Sequence, residues 1–184
     1  MHEKKMILED DAKEPMSLML EHRLPWLVMG LLGGIFATIL ASRFEAILEK
    51  DIRLAFFIPI IVYLADAVGT QTEGVYIENL TRRKVNFYVY LFKEFVLANI
   101  IGGLFGICIG LFAFFWLNSV EVAFTVGYAM FVTMGIAPLP ALIIPTILWK
   151  EHKDPVIGSG PFVTVLQDLL SLIIYFYIAT IIIF

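Results

Sequence analysis

The residues that could do chemistry are carboxylates, and they interrupt stretches that are otherwise almost free of charge. Asp66 and Glu73 lie in one such stretch and Asp168 in another, with Glu78 and Glu94 nearer the ends of theirs. Asp66, Thr70 and Glu73 are spaced i, i+4 and i+7, so a continuous helix carries them as one polar stripe. Every ionisable group in these stretches is acidic, with no Arg or Lys at the same depth to pair with them. A carboxylate in an apolar medium is costly unless it is protonated or neutralised by a cation. The asymmetry therefore favours passage of cations over binding of anions or neutral solutes. The structural alternative is a set of neutral carboxyls hydrogen-bonded to Thr, Gln and backbone for helix packing. His2, His22 and His152 are far apart and Cys108 is the lone cysteine, so a zinc or copper site, a disulfide within the chain and an enzymatic nucleophile–base–metal set are not expected.

The elements that position these carboxylates must be membrane helices. The 184 residues are 60% hydrophobic and 16% charged, and the mean hydropathy is +0.87, more than a core of this size can hide from water. From Phe95 to Trp149 the only formal charge is Glu121. The chain reads as an all-α integral membrane protein with five transmembrane helices per protomer. The first is Leu24 to Ala41. The second is polar and broken: its apolar part, Leu54 to Ala65, covers only about 18 Å as a helix before Asp66, Thr70, Gln71, Thr72, Glu73 and Glu78 appear, and Pro59, Gly69 and Gly74 permit breaks. The third, Phe95 to Leu117, carries Gly102, Gly106 and Gly110 as a smooth stripe for close packing or for a dimer seam. The fourth, Val122 to Trp149, is bent by Pro138, Pro140 and Pro145, and the fifth runs from Phe162 to Phe184 behind Pro161. Residues 1–23 form a cytosolic tail or a short interfacial helix, without the apolar core of a cleaved leader.

Ten of the thirteen Lys and Arg fall on one side of this arrangement, in the tail, the Glu78 to Glu94 loop and the Lys150 to Pro161 loop; Arg43, Lys50 and Arg53 fall on the other. The bias puts the N-terminus in the cytoplasm and the C-terminus outside, in a multi-pass cell (inner) membrane protein. A net charge of −4 argues against nucleic acid as a partner.

The run Asp154-Pro155-Val156-Ile157-Gly158-Ser159-Gly160-Pro161-Phe162-Val163-Thr164, continuing through Leu166 and Asp168 to Tyr175-Phe176, resembles the last transmembrane helix and its lead-in loop in the MgtE family of magnesium transporters. The resemblance extends to Arg23-Leu24-Pro25-Trp26-Leu27, to Ala55-Phe56-Phe57-Ile58-Pro59, and to Gly69 and Gln71, and so covers most of the chain from Arg23 onward. It implies an MgtE-like transmembrane domain over residues 24–184, a five-helix protomer that dimerises, and an ion pathway near the dimer axis lined by the second and fifth helices. Asp168 would be the pore aspartate. The family's usual Gly-Gly-Asn ahead of Gly-x-Gln is replaced here by Ala65-Asp66-Ala67, which loses an amide and gains a charge. Members typically carry a cytosolic N-terminal domain and paired CBS domains. Roughly two dozen residues precede the first helix here, so the sequence looks like the membrane module, and a separate regulatory subunit is one expected partner.

Mg²⁺ dehydrates reluctantly and prefers oxygen ligands, so carboxylates and carbonyls holding the hydrated ion from outside suit it. The expected function is a homodimeric divalent-cation channel or carrier in the lipid bilayer, with Mg²⁺ as the transported ion. Asp168 is its principal ion contact, and Asp66, Glu73, Gln71 and Thr164 are supporting candidates. The rival expectations are a cation/proton or cation/sodium exchanger and a non-transporting membrane assembly protein.

Overall fold

The computed structural model describes residues 15–82 and 85–183, the side chains of His22 and Ile157 excepted. Within them every regular element is helical: α1 (Met16–Ser42), α2 (Glu45–Lys50), a 3₁₀ segment (Ile52–Phe57), α3 (Ile58–Arg82), α4 (Phe87–Leu117), α5 (Val120–Ile136), α6 (Pro138–Lys150) and α7 (Pro155–Ile183). Five segments are long and apolar enough to cross a bilayer: Met16–Ser42, Ile52–Arg82, Phe87–Leu117, Val120–Lys150 and Gly158–Ile183. The chain is a multi-pass membrane protein.

Prolines place the irregularities. Pro59 has no N–H for the Ala55 carbonyl, which accepts instead from Ile58 in a 3₁₀ bond, so the second span opens with a 3₁₀ turn. The same logic bends the fourth span. Pro138 cannot serve the Met134 carbonyl, Ala137 N–H takes that place at 3.2 Å, and the span divides into α5 and α6 at Ala137. The expected break of the second helix at Gly69 and Gly74 is corrected: α3 runs unbroken through both. A glycine weakens a helix without removing a hydrogen bond, whereas a proline removes one, so the discontinuity sits beside Pro59 and the polar half is regular.

The first span is longer than expected. The described part of the anticipated interfacial segment is continuous with it, through Pro25. The carbonyl that Pro25 leaves without a donor belongs to Glu21, at the exposed end of the helix where water can serve it. The rest of the expected tail, with Arg83, Lys84 and Phe184, lies outside the described residues.

Asn118, in the left-handed conformation at φ 50°, ends α4, and the Ser119 hydroxyl caps α5 by accepting from Val122 N–H at 3.4 Å. The resulting hairpin is the closest helix pair in the molecule. A Cβ on Gly102 would stand 3.0 Å from the Phe131 carbonyl oxygen, and one on Gly110 3.1 Å from that of Ala123. The glycine stripe is thus consumed by packing of α4 on α5 within one chain.

Beside the 3₁₀ segment Leu54, Phe57, Ile61, Val126, Met130 and Phe176 form a buried apolar cluster. The buried Tyr175 hydroxyl donates to the Leu54 carbonyl at 2.7 Å and ties the fifth span to the 3₁₀ turn. Arg53 bonds Asp51 at 2.6 Å and reaches the Leu117 carbonyl at 3.4 Å. That guanidinium holds the Asp51 carboxyl below the usual carboxylate range.

Candidate functional site

The second and fifth spans pack antiparallel, and their facing sides carry most of the polar groups singled out above. Asp66 on α3 is half-buried, within hydrogen-bonding reach of the Thr164 hydroxyl on α7 and within Coulombic range of Asp168 and Glu73. Its second oxygen, Oδ1, is buried without a partner.

Asp168 is also half-buried and faces a groove of 340 Å³ between α1 and α7, floored by Gly30, Gly33 and Gly34 and flanked by Pro161 and Thr164. Glycine makes the groove in two ways. A Cβ on Gly33 would run into the Val165 side chain, so that glycine lets α1 approach α7. Gly30 and Gly34 meet nothing within 4 Å and leave space. A larger concavity, 570 Å³ around Ala41, Glu45, Glu49 and Ile52, lies at the α1–α2 corner and contains none of the membrane carboxylates.

Glu73 has different surroundings. It is buried, and the Ser159 hydroxyl, which also lies against the Pro155 carbonyl, hydrogen-bonds its Oε1. Close by, Thr72 donates to Glu94 at 2.9 Å and the Tyr76 hydroxyl meets Thr146 at 2.7 Å. Thr70 and Gln71 point the other way: both are exposed on a flank of α3 that no other described residues cover. The structure therefore brings together Asp66, Thr164 and Asp168, sets Glu73 at one end of that line, and separates Gln71 from it.

Three polar residues in this seam were not singled out from sequence. Ser159 is the partner of Glu73; Gln167 and Ser171 are fully buried, and neither the Gln167 amide nor the Ser171 hydroxyl has a hydrogen-bond partner among the described residues. Ser159, Gln167, Ser171 and Tyr175 recur at multiples of four along α7, which is the signal that could have found them. Among the described residues no three of His, Cys, Asp and Glu cluster as a metal-binding group.

A family described as MgtE, divalent cation transporter, matches residues 58–178. The magnesium transporter MgtE of Bacillus subtilis is 37% identical over 161 residues, 86% of this chain and 36% of that protein. The corresponding protein of Enterococcus faecalis is 33% identical over the same shares. That of Thermus thermophilus is 26% identical over 160 residues, 85% of this chain and 35% of its own. The chain spans about a third of the length of these relatives.

Proposed function

The chain belongs to the MgtE family of divalent cation transporters, and we propose that it passes Mg²⁺ across the membrane along a pathway built by two copies, with Asp168 as the principal ion contact. The observation that carries this reading is the environment of Asp168: a carboxyl deep in an apolar helix, open to a groove and within Coulombic range of another carboxyl, Asp66. Two like-charged groups so placed repel anions and each other, and a divalent cation relieves both. Two symmetry-related Asp168 side chains match the charge of one Mg²⁺, Thr164 extends the oxygen lining along the groove, and Asp66 stands behind it within reach of the Thr164 hydroxyl. Carboxylates and hydroxyls that accept hydrogen bonds from the ion's water shell avoid the cost of stripping it.

Two copies are invoked because the protomer leaves Thr70 and Gln71 exposed at membrane depth, beside Tyr63 at 69% exposure. Polar groups there need protein or an aqueous route, not lipid. Gln71 then lines the pathway from the outer flank of α3 while Asp66 does so from its inner side, and Glu73 supports it at the cytoplasmic end. The N-terminus is cytoplasmic and the C-terminus external by the charge bias. With Cys108 replaced by Ser, Glu121→Cys should react with an impermeant thiol reagent from outside and Lys153→Cys from inside; the reverse pattern inverts the topology.

The test of function is uptake into liposomes. Purified protein should pass Mg²⁺, and Asp168→Asn should strongly reduce that passage while the protein remains folded and dimeric. A proton- or sodium-coupled exchanger is the second reading, favoured by Asp66 Oδ1, an unpartnered carboxyl oxygen beside the pathway. Flux that follows an imposed pH or sodium gradient at fixed voltage would select it.

A further inference from the structure

Most threonines on the helices of this chain spend the hydroxyl hydrogen at home. Thr38, Thr81, Thr133, Thr146 and Thr180 each donate to the backbone carbonyl four residues earlier, at 2.7 to 3.0 Å. Thr164 is instead within hydrogen-bonding reach of the Asp66 carboxyl, across the seam on α3. Thr72, which donates to the Glu94 carboxylate at 2.9 Å, is a parallel case, but it belongs to the buried surroundings of Glu73. Thr164 faces the groove: it and Asp168, one turn apart on α7, are the polar side chains of the groove's lining, and Asp66 stands behind Thr164.

A hydroxyl has one hydrogen to give and lone pairs that accept, whereas an ionised carboxylate only accepts. With its hydrogen drawn to Asp66, Thr164 has lone pairs left for whatever lies beside Asp168. We propose that Asp66 is a positioning residue: it takes the Thr164 hydrogen and so turns Thr164 into a hydrogen-bond acceptor for the water shell of the ion at Asp168. The waters around a cation bind it through oxygen and direct their hydrogens outward, so a lining suited to a hydrated divalent ion must accept rather than donate. Without the Asp66 oxygens the Thr164 hydroxyl is free to turn back to the Gly160 carbonyl, as the five other threonines do, or to aim its hydrogen into the groove against those of the shell. Orientation of an ion contact by a group behind it is a common device of metal sites. The role presupposes that the Asp168 groove is the ion pathway, and it gives Asp66 an effect through Thr164 that its charge alone does not supply.

The test is Mg²⁺ uptake into liposomes by the full chain, read as apparent KM and maximal rate. Thr164→Val keeps the shape without the hydroxyl and should raise KM by roughly 2- to 12-fold, the worth of one neutral hydrogen bond; Thr164→Ser should match the parent. Asp66→Asn removes the charge but keeps an oxygen that accepts from Thr164, whereas Asp66→Leu keeps neither. Asp66→Leu should therefore exceed Asp66→Asn in KM by that same factor, and the two should coincide once Thr164→Val is added to each. Equal values with Thr164 present mean that Asp66 acts by charge alone, and a difference that survives Thr164→Val means that it acts on the ion directly; either overturns the proposal. So does Thr164→Ser behaving as Thr164→Val. Should Asp66→Leu not fold, Asp66→Ala takes its place in the same cycle. Hexaamminecobalt(III), whose shell offers only hydrogen-bond donors, gives a second readout: its block of uptake should be weaker in Thr164→Val than in Thr164→Ser, and weaker in Asp66→Leu than in Asp66→Asn. Equal block within either pair overturns the role of Thr164 as acceptor. Failure of the pathway itself looks different, because Asp168→Asn then conducts like the parent whatever the Asp66 and Thr164 variants do.

Discussion

Glu73 and Asp168 are both carboxyls set within membrane helices, yet one is buried and met by a hydroxyl and the other is half-buried beside a groove. Ser159 bonds Glu73 across the α3–α7 seam, next to the Thr72–Glu94 and Tyr76–Thr146 pairs, and the region is closed. Asp168 has the Gly30–Gly34 space before it and the charge of Asp66 behind it. The difference shows that depth in the membrane does not assign an acid's role. What the surrounding helices offer, a donor or an opening, separates a carboxyl suited to holding two helices together from one suited to meeting an ion.

The largest expected effect comes from removing the charge at the open site. Asp168→Asn keeps shape and hydrogen-bonding ability, so loss of one charged contact of about 1.5–3 kcal/mol should cut Mg²⁺ flux by roughly 10- to 150-fold. Asp66→Asn should reduce it less, since Thr164 remains to bond an amide oxygen, and Glu121→Gln, on the exposed outer turn, should change nothing. Uptake that survives Asp168→Asn and is lost in Asp66→Asn would move the pathway to the second span.

The closed site should respond in stability before it responds in flux. Ser159→Ala leaves Glu73 buried without its donor and should destabilise the protein by about 1–3 kcal/mol, read as a lower melting temperature. Glu73→Gln retains an oxygen to accept from Ser159, and should stay folded with near-parental uptake. If Glu73→Gln instead abolishes uptake without a change in melting temperature, Glu73 contacts the ion and the two carboxyls share one role.

The five spans were readable from apolar runs, because a bilayer imposes length and composition together. The fine geometry was less so. Pro59 and Pro138 mark real discontinuities, but each acts through a carbonyl four residues earlier, so the change of helix type lies upstream of the proline; Gly69 looked like a break and is where Gln167 packs against α3. Gln71, expected from the family resemblance, and Glu73, expected from its charge, were both supporting ion contacts, yet two residues on a regular helix turn the side chain by about 200°, and the structure has one exposed and the other buried. That separation needed only a continuous helix to be foreseen, and the expectation of a break hid it. Gln167 carries no charge and stands next to Asp168, and its burial depends on how the fifth span is rotated against the second and fourth spans, which spacing alone does not specify.

A third carboxyl, Asp51, sharpens the contrast from outside the membrane. It is paired with Arg53 at 2.6 Å and lies below the ordinary carboxylate range for that reason, the guanidinium hydrogen bond being the main cause. A depressed value in the folded state means that the pair adds stability above the unfolded value of about 3.9. That stability is lost as pH falls through the folded value, so the window lies at and below about pH 4. Asp51→Asn should therefore lower the melting temperature slightly at neutral pH, by little because Arg53 is partly exposed and the pair is screened. The gap between variant and parent should close on acidification. Uptake should be unaffected, since the pair fastens the start of the second span to the α4–α5 turn through the Leu117 carbonyl and touches no part of the groove. A variant whose stability deficit persists unchanged at low pH would show that Asp51 acts through its backbone cap on the 3₁₀ turn, accepting from Arg53 N–H at 3.0 Å, rather than through its charge.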